Sequence, residues 1–497
     1  MTMKQFENTI YKKDKIFVDI QTGLEINSSH LRKKITAVQS YFKIHLNNKE
    51  EKIAFFLDNS VDYAIILIAL FDIPVVLIPL NPQLNKAKVA YLLNHSAPSF
   101  LVTSQDRIKK NNWLKDMHCP CVTTEEIFTS TTNVPCVDSE DGTAPEKLKF
   151  ILYTSGTTGN PKGVMLSKGA VESKIVALIN SMGLCHAESF FSFLPFFSGH
   201  GMIPGLLVPF FAGCTIYISK FNPFLVPKFW NIIKKHRINY FTSVPNILLL
   251  LKHASHTVQK GEIPTLNKVF TASSPLPQAI YEWYRTVLGI KIINCYGLTE
   301  TASWISMPSN NDFNEKAHCV GKTIHSDIGI FDDDGNRLDH EHTGEIWVQG
   351  PSNMEGYYKN SKETLSVLEE KFIKTGDIGY IDKTGDLFLL DRKKNIIIKK
   401  GINVYPIEID QAFLEHEKVK GSVSFGIDDE KYGEKIITAL VVHDEQKSKN
   451  AFLKYAVEKL PTYLIPDDIF FVASLPVGPT GKTLSNILKN NYINQAR

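Results

Sequence analysis

The chain has 497 residues, more than one hydrophobic core ordinarily organises, so at least two domains are expected. With 43% hydrophobic and 22% charged residues, it is excluded from the disordered and fibrous classes. Lys and Arg number 55 against 52 Asp and Glu, and a net charge of +3 gives no electrostatic reason to expect nucleic acid or an anionic membrane surface as main partner.

From the N-terminus, Met1 to Lys15 lacks the apolar core of a signal peptide. Ser28 or Ser29 can cap a helix reaching about Leu46, and Lys52 to Leu57 follows as a short apolar strand. Asn59 or Ser60 caps a helix from Val61 to Phe71, and Val75 to Leu80 is strand-like. The apolar stretch Tyr63 to Leu80 is interrupted by Asp72, Pro74 and Pro79. A transmembrane helix needs ~20 predominantly apolar residues, so a buried helix and a buried strand are expected instead. Asn85 to Asn94 returns to helix and Ser99 to Thr103 to strand. This alternation predicts a layered α/β domain with mostly parallel strands. Seven cysteines in so long a chain do not make a disulfide framework, so a cytoplasmic location is expected. The cluster His118-Cys119-Pro120-Cys121 has no second pair at zinc-finger spacing and is expected to be a surface loop. Thr129 to Glu146, rich in Thr, Asp, Pro and Gly, is expected to be a long surface connection.

Ile151 to Gly163 holds the most chemistry. A strand runs into Thr154-Ser155-Gly156-Thr157-Thr158-Gly159 and ends at Lys162, flanked by Gly163. Glycines let backbone N–H groups turn toward an anion, hydroxyls add donors, and a lysine supplies a point charge for a β- or γ-phosphate. A P-loop would place Ser or Thr after the lysine to meet Mg²⁺; Gly163 stands there, so that reading fails. The competing reading is a plain Ser/Thr/Gly turn between elements.

Beyond Leu387 to Leu390 the rhythm changes. Asn395 to Ile398 is strand-like and Ile407 to Glu415 helical. Ser422 to Ile427 and Ile436 to Val442 are strands around a turn at Asp428 to Gly433, and Ala451 to Leu460 is helical. A compact α+β unit of ordinary domain size is expected here, joined near Asp391 to Lys394 with no long linker. The domains are therefore drawn as 1–391 and 392–497.

Tyr153 to Gly163 resembles the signature of the adenylate-forming, AMP-binding superfamily, which includes acyl- and aryl-CoA synthetases, peptide-synthetase adenylation domains and luciferases. The resemblance continues in order over nearly the whole chain. It shows in Leu194-Pro195-Phe196-Phe197, Asn294-Cys295-Tyr296-Gly297-Leu298-Thr299-Glu300, Thr343-Gly344-Glu345-Ile346 and Thr375-Gly376-Asp377. It then shows in Asp391-Arg392-Lys393-Lys394, Gly401 to Ile409 and Gly478-Pro479-Thr480-Gly481-Lys482. It implies a large N-terminal multi-layered α/β domain and a small mobile C-terminal α+β domain. The implied activity is ATP-dependent activation of a carboxylic acid as an acyl-adenylate, followed by transfer to a thiol.

The same resemblance assigns roles. Thr154, Ser155, Gly156, Thr157, Thr158 and Lys162 would hold the phosphates that leave as pyrophosphate. Tyr296 would lie against adenine, with Ser273, Ser274, Pro275, Asn294 and Gly297 in the surrounding nucleotide site. Thr299 would bond the α-phosphate and Glu300 would ligate Mg²⁺. Asp377 would accept from both ribose hydroxyls, with Arg392 near ribose or phosphate. Lys482 would bridge the incoming carboxylate and the α-phosphate, delivered by a small domain that pivots at Lys394. Thr154, Glu300 and Lys482 are thus the residues expected to carry catalysis.

The pocket segment Phe193 to Met202 has no acidic residue to pair with an α-ammonium, which argues against an amino acid substrate. Its apolar and aromatic character suits a fatty, medium-chain or aryl acid, with Phe197, Ser198 and His200 on the substrate side and fatty acid metabolism as the setting. Ser198 stands where the family often has histidine, Ile398 replaces a frequent lysine, and Ser485 stands where a basic residue commonly follows the catalytic lysine. No carrier-protein segment follows Lys482, so the acceptor is expected to arrive separately. Gly426 to Glu434 resembles CoA ligases, which favours coenzyme A. The alternatives are loading of a phosphopantetheinyl acyl carrier protein, or an inactive nucleotide-binding relative.

Overall fold

The computed structural model describes residues 14–46, 51–130, 147–154, 161–255, 258, 260–266, 268–308, 318–429, 433–442, 448–476 and 484–496. The architecture is mixed α/β, with a large N-terminal part and a smaller C-terminal one. The described strands form four sheets.

Two of the sheets are mostly parallel, and the first contains the strands expected from the alternation. Lys52–Phe55, Val76–Pro79, Phe100–Thr103 and Cys121–Thr123 pair in parallel with Leu148–Thr154, which turns back antiparallel into Lys162–Ser167 and then Gly356–Tyr357. In the other, Lys291–Asn294, Lys268–Thr271, Tyr240–Ser243, Ser189–Ser192, Thr215–Ile218 and Phe17–Asp19 run parallel, and Glu25–Ile26 closes the edge antiparallel. A third, antiparallel sheet contains Tyr296–Leu298, Ser303–Met307, Phe372–Ile381 and Leu387–Arg392.

The helix Val61–Phe71 is capped by Ser60, whose hydroxyl accepts from Tyr63 N, and every residue in it except Asp62 is buried. No helix among the described residues is long and apolar enough to cross a membrane. The first long helix, Ser28–His45, is capped one residue earlier than the sequence implied, by Asn27 accepting from His30 N. Lys149, buried below the helix Val61–Phe71, donates to the carbonyls of Leu70, Ile73 and Val75 at 2.6, 2.7 and 3.0 Å. The ammonium thereby meets one carbonyl of the helix's last turn, Leu70, and two of the segment that follows it, Ile73 and Val75.

The fourth sheet belongs to the C-terminal part. Val419–Asp429 and Gly433–Val442 form its long hairpin, with Ile397–Lys399, Ile402–Val404 and Asp468–Phe471 alongside. Helices Pro406–Leu414 and Lys449–Lys459 lie where the sequence placed them. The strand Asp468–Phe471 and the terminal helix Ser485–Ala496 had no expectation behind them. Its apolar clusters, built from Ile397 onward, share no residue with those of the N-terminal part, which end at Leu389.

Within this part, Asp410 lies against the hairpin and accepts from the hydroxyls of Ser422 and Ser424, each at 2.8 Å. Burial raises its carboxyl from 3.8 to about 6 despite those bonds. The native state therefore holds this proton more tightly than the unfolded chain, and the group's contribution to stability falls as pH rises from about 4 to about 6. Asp410→Asn should remove that component, so the difference in unfolding free energy between variant and wild type shifts in the variant's favour across the window. A difference independent of pH in denaturant titrations would contradict the assignment.

Candidate functional site

The strand Leu148–Thr154 and the strand Lys162–Ser167 are antiparallel, with Thr154 directly opposite Lys162. The Gly/Ser/Thr segment is thus the connection of a hairpin whose two ends are held together. Ser155, Gly156, Thr157 and Thr158 lie outside the described residues, as does Lys482. A Cβ on Gly163 would come within 2.8 Å of the Ile151 side chain, so this register tolerates little else there.

Thr154 and Lys162 open onto a cleft of about 650 Å³. Phe197, Ser198, His200, Ser273, Gly297, Thr299, Glu300 and Arg392 line the same cleft, along with Trp304, Trp347 and Tyr357. Elements from all three sheets of the N-terminal part meet here. Ser273 follows the strand Lys268–Thr271 with φ +78°, a strained conformation for a residue with a Cβ. Ser274 and Pro275 continue that loop but are not on the cleft wall, and Pro275 is exposed.

Asn294, Tyr296 and Asp377 lie behind the wall and are buried. Antiparallel pairing sets Asp377 opposite Arg392, and Arg392 Nε meets Asp377 Oδ1 at 2.5 Å. The Tyr296 hydroxyl donates to Asp377 Oδ2 at 2.7 Å. Burial, together with the Asp377 carboxylate, pushes the Tyr296 phenol well above its usual range, so it remains a donor. A tyrosine, an aspartate and an arginine from separate motifs are therefore one hydrogen-bonded group.

On the other side of the cleft, Lys162 is paired with Glu363, and its ammonium lies 5.1 Å from the centre of the Tyr357 ring. The Tyr357 hydroxyl donates to Glu300 Oε1 at 2.9 Å. Lys393 reaches Asp333 at 2.8 Å and Glu345 at 3.2 Å. Lys394, in the short turn Lys393–Asn395, is exposed. Partial burial and the nearby Arg392 charge, with a further contribution from Lys162, lower its ammonium, while Asp377 opposes the shift.

His200 is on the cleft wall, but both ring nitrogens already face protein hydroxyls, Nδ1 at 3.0 Å from Ser273 Oγ and Nε2 at 2.6 Å from Thr242 Oγ1. Its ring stands edge-on to Trp304, with centroids 5.4 Å apart. Ser198 serves the backbone, donating to Pro195 O and accepting from Gly201 N at the start of a helix. Tyr357, Glu363, Trp304 and Thr242 were not singled out in the sequence. Tyr357 had one accessible signal, its position shortly after the family-like Thr343 to Ile346; the others are ordinary residues until the chain folds.

Residues 10–358 match the family model described as AMP-binding enzyme, and residues 408–482 match the model of the AMP-binding enzyme C-terminal domain. The chain is similar to the oxalate–CoA ligase of Arabidopsis thaliana, at 28% identity over 89% of this chain and 88% of that one. It is similar to the long-chain-fatty-acid–CoA ligase FadD13 of Mycobacterium tuberculosis, at 27% identity over 89% and 88% of the two chains. Among solved structures, the O-succinylbenzoate coenzyme A synthetase of Bacillus subtilis in complex with ATP and magnesium ion matches with a TM-score of 0.86 at 25% identity, covering 98% of each chain. The same protein in complex with its acyl-adenylate intermediate matches with a TM-score of 0.85.

Gly297 tests how tightly the cleft wall is built. It pairs with Trp304 across two strands, and an added Cβ would lie 2.2 Å from Ser303 O and 2.6 Å from Trp304 Cα. Both are backbone atoms, so the strands would have to separate. Gly297→Ala is expected to destabilise the protein by about 3 kcal/mol or more and to abolish ATP binding. A wild-type melting temperature with wild-type ATP affinity in calorimetry would contradict this packing.

Proposed function

Because the chain belongs to the AMP-binding enzyme family, we propose that its cleft joins a carboxylic acid to ATP as an acyl-adenylate, releases pyrophosphate, and passes the acyl group to the thiol of coenzyme A. The observation that carries this reading is the convergence of Thr154, Lys162, Ser273, Thr299, Glu300 and Arg392 on one hollow. In the first step a carboxylate oxygen bonds to the α-phosphorus as the bond to pyrophosphate breaks. In the second, sulfur bonds to the acyl carbon, the thiol gives up its proton, and AMP leaves.

Both steps need negative charge neutralised and reactants aligned. We assign the β- and γ-phosphates to Lys162 with Thr154 and the following loop, and the α-phosphate to Thr299. Adenine goes beside Tyr296, near Ser273 and Gly297, and ribose goes to Asp377 with Arg392. Glu300 and its neighbour Thr299 present hard oxygen donors of the kind magnesium prefers, and we take Glu300 as the ligand. Bound there, the ion would neutralise phosphate charge. We take the acid to be fatty, medium-chain or aryl, on the strength of the apolar wall of Phe197, Val244, Ala272 and Trp304. A cytoplasmic setting agrees with the six described cysteines being free thiols.

Lys482 we assign to the transition state of the first step, delivered by a C-terminal unit drawn from Arg392 onward. Separate apolar clusters and a short connection support a hinge there, and Lys394 is its pivot. Lys482→Ala should reduce adenylation at least 100-fold, within the range lost with a single electrostatic donor, while thioester formation from preformed acyl-AMP stays near wild type. Equal losses in both half-reactions would remove the assignment. Lys394→Pro, which fixes φ, should spare adenylation and block thioester formation; unimpaired thioester synthesis would refute the pivot.

The overall reading is tested by pyrophosphate release across a panel of fatty, aryl, dicarboxylic and amino acids, followed by thioester detection with coenzyme A and with a phosphopantetheinyl carrier protein. Acid-dependent pyrophosphate and an acyl-CoA product are expected. ATP binding without acid-dependent release would leave only a nucleotide-binding relative, and thioester on the carrier protein alone would move the acceptor.

A further inference from the structure

Lys162 and Glu300 lie far apart in sequence, and one aromatic ring stands between their side chains. Tyr357 is buried, its hydroxyl donates to Glu300 Oε1 at 2.9 Å, and the Lys162 ammonium sits 5.1 Å from its ring centre. The backbone around it is tied to both residues. Tyr357 pairs with Val164 on the strand that begins at Lys162, Tyr358 N donates to Gly163 O at 2.7 Å, and Met354 N donates to Glu300 O at 2.8 Å. The main chain that bears the ring is anchored by Tyr357 N, which donates to Thr364 Oγ1 at 2.9 Å. Gly356 next to it holds φ +140°, where an added Cβ would meet Thr364 at 2.8 Å, so the approach of the strand to that anchor is fixed.

We propose that Tyr357 is the positioning residue of the nucleotide site: its hydroxyl orients the Glu300 carboxylate toward a divalent cation, and its ring face holds the Lys162 ammonium for the terminal phosphates. The proposal rests on the assignment of those two residues made above. A phenol is suited to both tasks. Its O–H fixes one carboxylate oxygen in a charge-assisted bond, and its face attracts an ammonium without neutralising it, unlike the Glu363 carboxylate on the other side of Lys162. The cation and the polyphosphate thus meet groups referenced to the same rigid plane.

Two variants separate the two contributions, read as equilibrium ATP affinity in calorimetry with acid omitted, in excess Mg²⁺ and in EDTA. Tyr357→Phe keeps the ring and loses the hydroxyl. It should weaken ATP binding about tenfold in Mg²⁺, leave affinity in EDTA unchanged, and raise the Mg²⁺ concentration needed for half-maximal pyrophosphate release, with the KM for the acid unaltered. Tyr357→Leu loses the ring as well and should weaken ATP binding in EDTA too. In a Glu300→Gln background, Tyr357→Phe should have no further effect. A Tyr357→Phe protein whose Mg²⁺-dependent gain in ATP affinity equals that of wild type overturns the proposal, as does an effect of equal size in the Glu300→Gln background. Wild-type protein that binds ATP equally well with and without Mg²⁺ also overturns it. Failure of the acid-thiol ligase reading has a different signature, ATP binding with no acid-dependent pyrophosphate from any acid in the panel.

Discussion

The cleft depends on keeping strong charges close together without letting them collapse into one another. Lys162, Arg392 and Lys393 face Glu300, Glu345 and Asp333 across one hollow, with Asp377 just behind its wall. In a partly buried setting an unpaired charge is costly, and each of these groups has a protein partner: Lys162 with Glu363, Arg392 with Asp377, Lys393 with Asp333 and Glu345, Glu300 with Tyr357. Such pairing fixes where the charges sit more than it stabilises the fold, since the exposed Lys393–Asp333 pair contributes little. Any anion that were to take Lys162 would have to outcompete Glu363 for it.

Strand pairing provides the positions. The hairpin that sets Thr154 against Lys162 and the pairing of Asp377 with Arg392 fix donors and charges by main-chain register rather than by loop packing. A shift of one residue in either ladder would send the side chain to the opposite face. The close approach of Gly297 to the backbone of Ser303 and Trp304 adds a third fixed wall. The connection to the C-terminal part is of another kind: the short turn Lys393–Asn395 lies between elements whose apolar clusters share no residue.

How far the sequence discloses this differs from level to level. The helix Val61–Phe71 was legible because a serine cap precedes a run that is apolar from Tyr63 on, and the parallel strands Lys52–Phe55, Val76–Pro79 and Phe100–Thr103 followed from strand–helix alternation, whereas the strands from Ser189 to Asn294 were not read. Asp468–Phe471 was missed because four residues without clear alternation carry little pattern, and Ser485–Ala496 because its Asn-rich sequence has no strong apolar face. In the site, motifs identified Lys162, Thr299, Glu300 and Asp377 by resemblance. Their partners were hidden, since Lys162 meets Glu363 from 201 positions away and Glu300 meets Tyr357 from 57. Buried Lys149 and Lys174 illustrate the same limit. Each looks like a surface residue in the sequence, yet Lys149 is bound by the carbonyls of Leu70, Ile73 and Val75 and Lys174 by the carbonyl of Trp304, a residue of the cleft wall, at 2.7 Å.

On the proposed function, one cleft holds the nucleotide and the acid together. A stable sulfamoyl mimic of the acyl-adenylate, built on an acid that supports pyrophosphate release, tests it by calorimetry in the presence and absence of saturating ATP. One mimic should bind per chain, and its binding should be lost when ATP is present. Undiminished binding of the mimic beside saturating ATP would contradict it.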